Sequence, residues 1–145
     1  MPTIQSYQDL QVWQKAMDLV VEVYRLAGLL PRAEQFGLIS QMQRAATSVP
    51  ANIAEGHGRA YTGAYCRHLS IAQGSLLELE THLLISQRLS YLSAEQVNPL
   101  LNRTQEIGRM LHGLTRSLKA SVTARSQAPG VGSQGRKTTE TKKIP

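Results

Sequence analysis

Leu38 to Gly56 reads LISQMQRAATSVPANIAEG, and Ile39, Met42, Ala46, Val49 and Ile53 recur within it at intervals of three, four and seven residues. That spacing puts them on one face of an α-helix and rules out the alternation of a strand, so a helix is predicted over about Glu34 to Gly56. On the side away from this apolar stripe, Gln41, Arg44, Ser48, Asn52 and Glu55 fall within about 80° of arc by the same period. The polar line has two readings: a solvated face with local hydrogen bonds, or a subunit contact or ligand surface. Ala45, Ala51 and Ala54 leave room for another backbone to approach closely. Pro50 lies inside the pattern and removes one backbone hydrogen bond, which predicts a kink or irregularity near Ala46 to Pro50. Gly56-His57-Gly58-Arg59 then breaks the helix, with one of the glycines expected as a left-handed cap.

Downstream, Ala72 to Glu80 reads AQGSLLELE inside a third helical segment, about Gly63 to Leu89, whose core stripe is Tyr65, Leu69, Ala72, Leu76, Leu79 and Leu83. Glu80 has Leu76, Leu77, Leu83 and Leu84 as its helical neighbours. A carboxylate buried among leucines needs a partner, because an unpaired buried charge is costly or becomes protonated. Arg44 is the first candidate, and the alternative is that Glu80 sits at the rim and reaches water. Gly74-Ser75 is small and mid-helix, which suits close helix packing.

Upstream, Ser6 with Asp9 makes a capping pair for a first helix that should reach about Gly28 before Leu30-Pro31 stops it. Trp13, Ala16, Met17, Val20, Tyr24 and Ala27 form one apolar stripe, with Val12, Leu19, Val23, Leu26 and Leu30 beside it. The two together cover about half the helix, wider than the ~100° that one bundle core requires. The surplus predicts a subunit interface, with Val12, Leu19, Val23 and Leu26 at it or next to it.

A fourth helix begins at Ser93 with Gln96 as its capping box, or at Asn98-Pro99. Leu101, Thr104, Ile107, Leu111, Leu114 and Leu118 repeat at three and four, like a coiled-coil seam. Opposite that seam, Asn102, Gln105, Arg109, His112, Arg116 and Lys119 lie on one narrow face that no acidic residue interrupts. Such a stripe is either a solvated basic face or a nucleic-acid contact, and Arg109, His112, Arg116 and Lys119 are the residues that would meet phosphates.

The chain of 145 residues suffices for one domain with a real core. Aromatic residues make up 5% of it and apolar residues 41%, so the core must be aliphatic. Residues 121 to 145 hold Arg125, Arg136, Lys137, Lys142 and Lys143 against Glu140, so most of the net charge of +6 lies there. That stretch, SVTARSQAPGVGSQGRKTTETKKIP, has too few large apolar side chains to offset its ordering entropy. The expectation is an all-α, antiparallel up-down four-helix bundle over residues 1–120 and a disordered basic C-terminal tail over 121–145. A single cysteine, Cys66, cannot form an internal disulfide and fits a reducing compartment. The N-terminus MPTIQSYQ lacks the features of a signal peptide, and no run of eighteen apolar residues occurs. A soluble cytoplasmic protein with no membrane segment is expected.

Catalytic signals are missing from the sequence. His57, His68, His82 and His112 have no paired metal spacing, and Cys66-x-His68 is too small a set for zinc. Glu78 and Glu80 project about 200° apart on a helix and cannot act as an acid/base pair. There is no Glu-x-x-His of the di-iron bundles. The Gly56-to-Arg59 turn follows no strand and lacks the lysine and hydroxyl of a phosphate-binding loop. No enzyme activity, no cofactor and no metal site is predicted; catalysis could arise only from residues assembled across subunits.

Besides the two opening stretches, YQDLQVWQKAMDLVVEVYRL at Tyr7 to Leu26, the Pro-x-x-Glu-x-Phe-Gly-Leu turn at Pro31 to Leu38, and SYLS at Ser90 to Ser93 stand in a fixed order. Together these motifs resemble the four-helix-bundle family known as 23S ribosomal-RNA intervening-sequence proteins, over roughly Tyr7 to Leu118. The chain departs from the family's pattern at His68, where an aromatic residue is commoner, and at Gln73, where a basic residue is. The resemblance implies a closed homopentamer and nucleic acid as partner, structured RNA and ribosomal RNA in particular. A related line, the accessory subunits of diversity-generating retroelements, implies the alternative of a protein-interaction scaffold that assists a reverse transcriptase.

Overall fold

A computed structural model describes residues 3–126, and the expected tail beyond them, 127–145, lies outside the described residues. Four helices carry the fold: α1 (Gln11–Ala27), α2 (Leu38–His57), α3 (Thr62–Arg88) and α4 (Ala94–Ser126). Each packs against its neighbours in sequence, and α1 closes the bundle against α4, which is the up-down arrangement. The shared interior is aliphatic and small: Leu19, Val23, Met42, Ala46, Val49, Ile53, Leu69, Ala72, Leu79, Leu83, Ile107 and Leu111 are all fully buried.

Ser6 caps a 3₁₀ turn, Tyr7–Asp9, and not α1 itself. Its hydroxyl accepts from the Gln8 N–H at 3.1 Å, while Asp9 accepts from the Ser6 N–H at 3.2 Å. Leu10 is extended and separates that turn from α1. Within α1, Val12, Ala16, Leu19, Val23 and Ala27 are buried. Val12, Leu19 and Val23, expected at a subunit interface or next to it, fill the chain's own core, and Leu26 is half-buried. Of the other stripe Ala16 and Ala27 are buried as well, while Met17 and Tyr24 face solvent, as does Val21, which belongs to neither stripe.

α2 begins after a second 3₁₀ turn, Arg32–Glu34. Glu34 accepts from the Leu38 N–H at 3.1 Å and from the Tyr91 hydroxyl at 3.1 Å, so one carboxylate caps α2 and fastens it to the α3–α4 turn. The helix runs on through Pro50, which is buried. At its end no glycine has positive φ; Gly58 is right-handed at φ −82°, so the expected left-handed cap does not form. Gly56 serves packing instead. A Cβ there would come within 2.9 Å of the His68 Cβ and 3.0 Å of the Tyr65 ring, so only a glycine lets α3 cross α2 this closely. Gly74 has no such role, since a Cβ added to it would meet nothing within 4 Å.

Ser93 starts α4: its hydroxyl accepts from the Gln96 N–H at 3.2 Å, and the Gln96 side chain accepts from the Ser93 N–H at 2.9 Å. Asn98-Pro99 falls inside the helix. α4 continues past Ala120 to Ser126, because nothing between Ser121 and Ser126 is a helix breaker. Ser90, in the α3–α4 turn, is the one non-glycine residue with positive φ, at 64°, among the described residues.

Candidate nucleic-acid interface

The polar line of α2 divides in two. Ser48 and Asn52 turn toward α3, whereas Arg44 and Glu55 stay exposed. The Ser48 and Ser75 hydroxyls are 2.8 Å apart, Asn52 donates to the Ser48 carbonyl at 2.8 Å and to its hydroxyl at 3.1 Å, and the Asn52 carbonyl oxygen lies 3.0 Å from Nδ1 of His68. Four side chains thus form one polar seam between two helices of the same chain, which satisfies groups that would otherwise be buried without partners. Glu55 instead pairs with Arg59 at 2.9 Å on the surface.

Glu80 and Arg44 do not meet. Glu80 is half-buried and accepts a hydrogen bond from the Thr104 hydroxyl of α4 at 2.5 Å, while Arg44 projects into solvent from α2. The carboxylate found its partner across the α3–α4 contact because Thr104, 1% exposed, is a hydroxyl in an otherwise apolar seam. One turn along the same contact, the Gln73 amide donates to the Gly108 carbonyl at 2.9 Å. Thr104 was visible as a polar residue in the seam of α4 and Ser75 only as a small mid-helix residue, and the period of one helix says nothing about which residue of another lies opposite.

On α4, Asn102, Gln105, Arg109, His112, Arg116 and Lys119 are all exposed. The stripe is not uniform along its length. Arg109 and His112 border a groove that also contains Glu80, Gln73 and Gln105. Further on, His112, Thr115, Arg116 and Lys119 line a shallow concavity of their own, with no carboxylate in its walls. On the flank toward α1, Glu106 pairs with Lys15 at 3.3 Å, and Asp18 and Arg103 border the same cleft. The cationic character is therefore strongest over the last turns of α4.

Among the described residues, His82 is the poorly satisfied buried group. Both ring nitrogens are buried without a hydrogen-bond partner, and Glu78 lies 3.7 Å from Nε2. Two tyrosines hold their protons more tightly than usual: burial, with Cys66 nearby, pushes the Tyr65 hydroxyl up, and the hydrogen bond to Glu34 does the same for Tyr91. Among the described residues, no group of three or more His, Cys, Asp or Glu side chains converges as metal ligands would, and no helix is long and apolar enough to cross a membrane.

Comparison with the curated proteins gives no match. A solved structure from Bacteroides thetaiotaomicron VPI-5482, described as a protein of unknown function from the S23 ribosomal protein family, is similar with a TM-score of 0.67 and 27% identity. The match covers 72% of this chain and 97% of that one. The family model described as 23S rRNA-intervening sequence protein matches residues 8–113, from the 3₁₀ turn before α1 well into α4. With that much of the bundle matched, the chain belongs to the 23S rRNA-intervening sequence protein family.

Proposed function

We propose that the protein is a non-enzymatic, ring-forming oligomer that binds nucleic acid, with structured RNA and ribosomal RNA in particular as its target, through the basic face of α4. The observation that carries this reading is the exposure of Arg109, His112, Arg116 and Lys119 on one side of a helix that has no acidic residue after Glu106. Phosphates neutralised by such a face release condensed counterions, so affinity falls steeply with salt. The family's description, which refers to sequences intervening in 23S rRNA, supports ribosomal RNA as the target. Ring assembly repeats the stripe in every subunit, and weak single contacts then add through multivalency. Met17, Val21 and Tyr24, apolar and exposed on α1, support a contact between copies, and the pentamer is the state that the resemblance implies. The protein acts in the cytoplasm, without cofactor or metal.

The test is a salt titration of RNA and DNA binding by the intact chain, by a chain lacking residues 127–145, and by an Arg109→Glu/Arg116→Glu/Lys119→Glu variant. The triple variant should lose binding, and the slope of log affinity against log salt should fall by roughly one unit for each phosphate contact removed. Normal binding by the triple variant combined with loss on tail deletion would move the site to the tail. Native mass spectrometry should show a closed homo-oligomer, which Met17→Glu with Tyr24→Glu disrupts; a concentration-independent monomer overturns the ring.

The outward side of α3 favours a second reading. Ile71, Leu77, Leu84 and Ile85 are exposed there, as a scaffold that docks a protein partner such as a reverse transcriptase would require. A reverse-transcriptase gene beside this one would favour it, and a surrounding ribosomal-RNA gene would favour the first.

A further inference from the structure

The α2–α3 connector and the last turns of α4 meet at one end of the bundle, and the charge there is one-sided. Neither the stretch from Gly56 to Leu77 nor that from Ile107 to Ser126 contains an acidic residue. Arg59 is held by Glu55, but Arg67, Arg116 and Lys119 have no ion pair among the described residues. Between the two segments lies a groove of about 600 Å³, within the range of small-ligand sites. Thr62, Gly63 and Cys66 line it from α3 and Lys119, Val122 and Thr123 from α4. Its walls are chiefly apolar apart from the one lysine. An added Cβ at Gly63 would meet no atom within 4 Å, so that wall is open.

Tyr61 stands immediately before the groove, as the residue that precedes the first turn of α3, and 78% of it is exposed. A side chain so exposed contributes little to the fold, yet it offers a flat aromatic face beside a mainly apolar groove that carries one lysine. Bases in a duplex stack on one another and leave only grooves and phosphates to a protein, whereas an unpaired base can stack on an aromatic side chain. The stripe on α4 leads to the same place: Arg109 to Lys119 spans roughly 15 Å along the helix axis and ends in the wall of the groove.

We infer that this end of the bundle holds an unpaired nucleotide of a single-stranded or looped segment, its base against Tyr61 and the groove and its phosphates on Lys119, Arg116 and Arg67. The inference rests on the nucleic-acid reading and narrows it: the basic stripe attracts any polyanion, and the Tyr61 groove selects unpaired bases.

The test compares a fluorescein-labelled single-stranded RNA with a blunt RNA duplex of the same length, at fixed low salt, with the full-length protein. Tyr61→Ala should weaken single-strand binding about ten-fold or more and leave duplex binding and the salt slope unchanged, since stacking is not a counterion effect. Tyr61→Phe should bind as the unsubstituted protein does. A 2-aminopurine in the single strand should change its fluorescence on binding, and Tyr61→Ala should abolish that change. If Tyr61→Ala binds both ligands normally, or if polyglutamate competes as well as single-stranded RNA of equal charge, the inference is overturned and the basic stripe is a general anion surface. If the intact protein binds neither RNA at low salt, the nucleic-acid reading itself fails, and this inference falls with it.

Discussion

The Thr104 hydroxyl donates to Glu80 at 2.5 Å, and this bond fastens α4 to α3 where the leucine-rich part of α3 would otherwise hold an unanswered carboxylate. A hydrogen bond to a charged group is worth about 1.5–3 kcal/mol. Thr104→Val should therefore lower unfolding stability by about that much in denaturant titration. Arg44→Leu, at an exposed position with no ion pair among the described residues, should stay within about 0.5 kcal/mol of the unsubstituted protein. A large loss in Arg44→Leu with none in Thr104→Val would mean that Glu80 relies on the arginine.

Glycine to alanine should have opposite signs at different places. At Gly56 the new methyl collides with His68 and Tyr65, and overpacking of this kind costs about 1–3 kcal/mol. At Gly113 the new methyl meets nothing within 4 Å, so the gain in helix propensity, about 1 kcal/mol, should appear undiminished. Thermal melts of the two variants should move in opposite directions.

His82→Leu should stabilise the bundle. Both ring nitrogens are buried without a partner among the described residues, and an apolar side chain of similar size removes that desolvation penalty of about 1–3 kcal/mol. A lower melting temperature would mean that the ring makes a contact with Glu78 that matters to the fold.

Alkaline titration should read out Tyr65 and Tyr91. Both hydroxyls are shifted upward from the ordinary value of 10.0, Tyr65 by burial and Tyr91 by its bond to Glu34. A raised phenol favours folding in its protonated form, so its contribution is fully present below pH 10 and is lost as pH rises through the folded value. Tyr91→Phe should remove the part of the alkaline loss that comes from the α3–α4 turn, seen as a flatter stability curve above pH 10. An unchanged curve would show that the Glu34 bond is not kept in solution.

Helix positions and the core were legible because each helix has its own period: Ile39, Met42, Ala46, Val49 and Ile53 need no knowledge of any other segment. The capping box at Ser93 was legible for the same local reason. What the sequence could not supply was relative placement. Two adjacent stripes on α1 were both apolar, and only packing shows that Val12, Leu19 and Val23 turn inward and that Met17 and Tyr24 turn out. Glu80 stood out as a carboxylate among leucines, with a buried pair or a place at the rim both open, and Thr104 came to bond it through the crossing of α3 and α4. His68, a departure from the family's pattern, joined Asn52 through a register that no single-helix spacing contains.

The up-down connectivity also fixes how the molecule opens. Contacts between α1 and α2, α2 and α3, and α3 and α4 all join consecutive helices, so their loops close at low entropic cost, whereas α1 and α4 meet only after most of the chain has been gathered. The loop-closure argument predicts that in folding the seam between α1 and α4 closes last, and that in the native ensemble it parts first. Amide hydrogen exchange should therefore rank α1 and the free end of α4 well below the α2–α3 hairpin in protection, which leaves the basic face of α4 on the most mobile wall of the bundle.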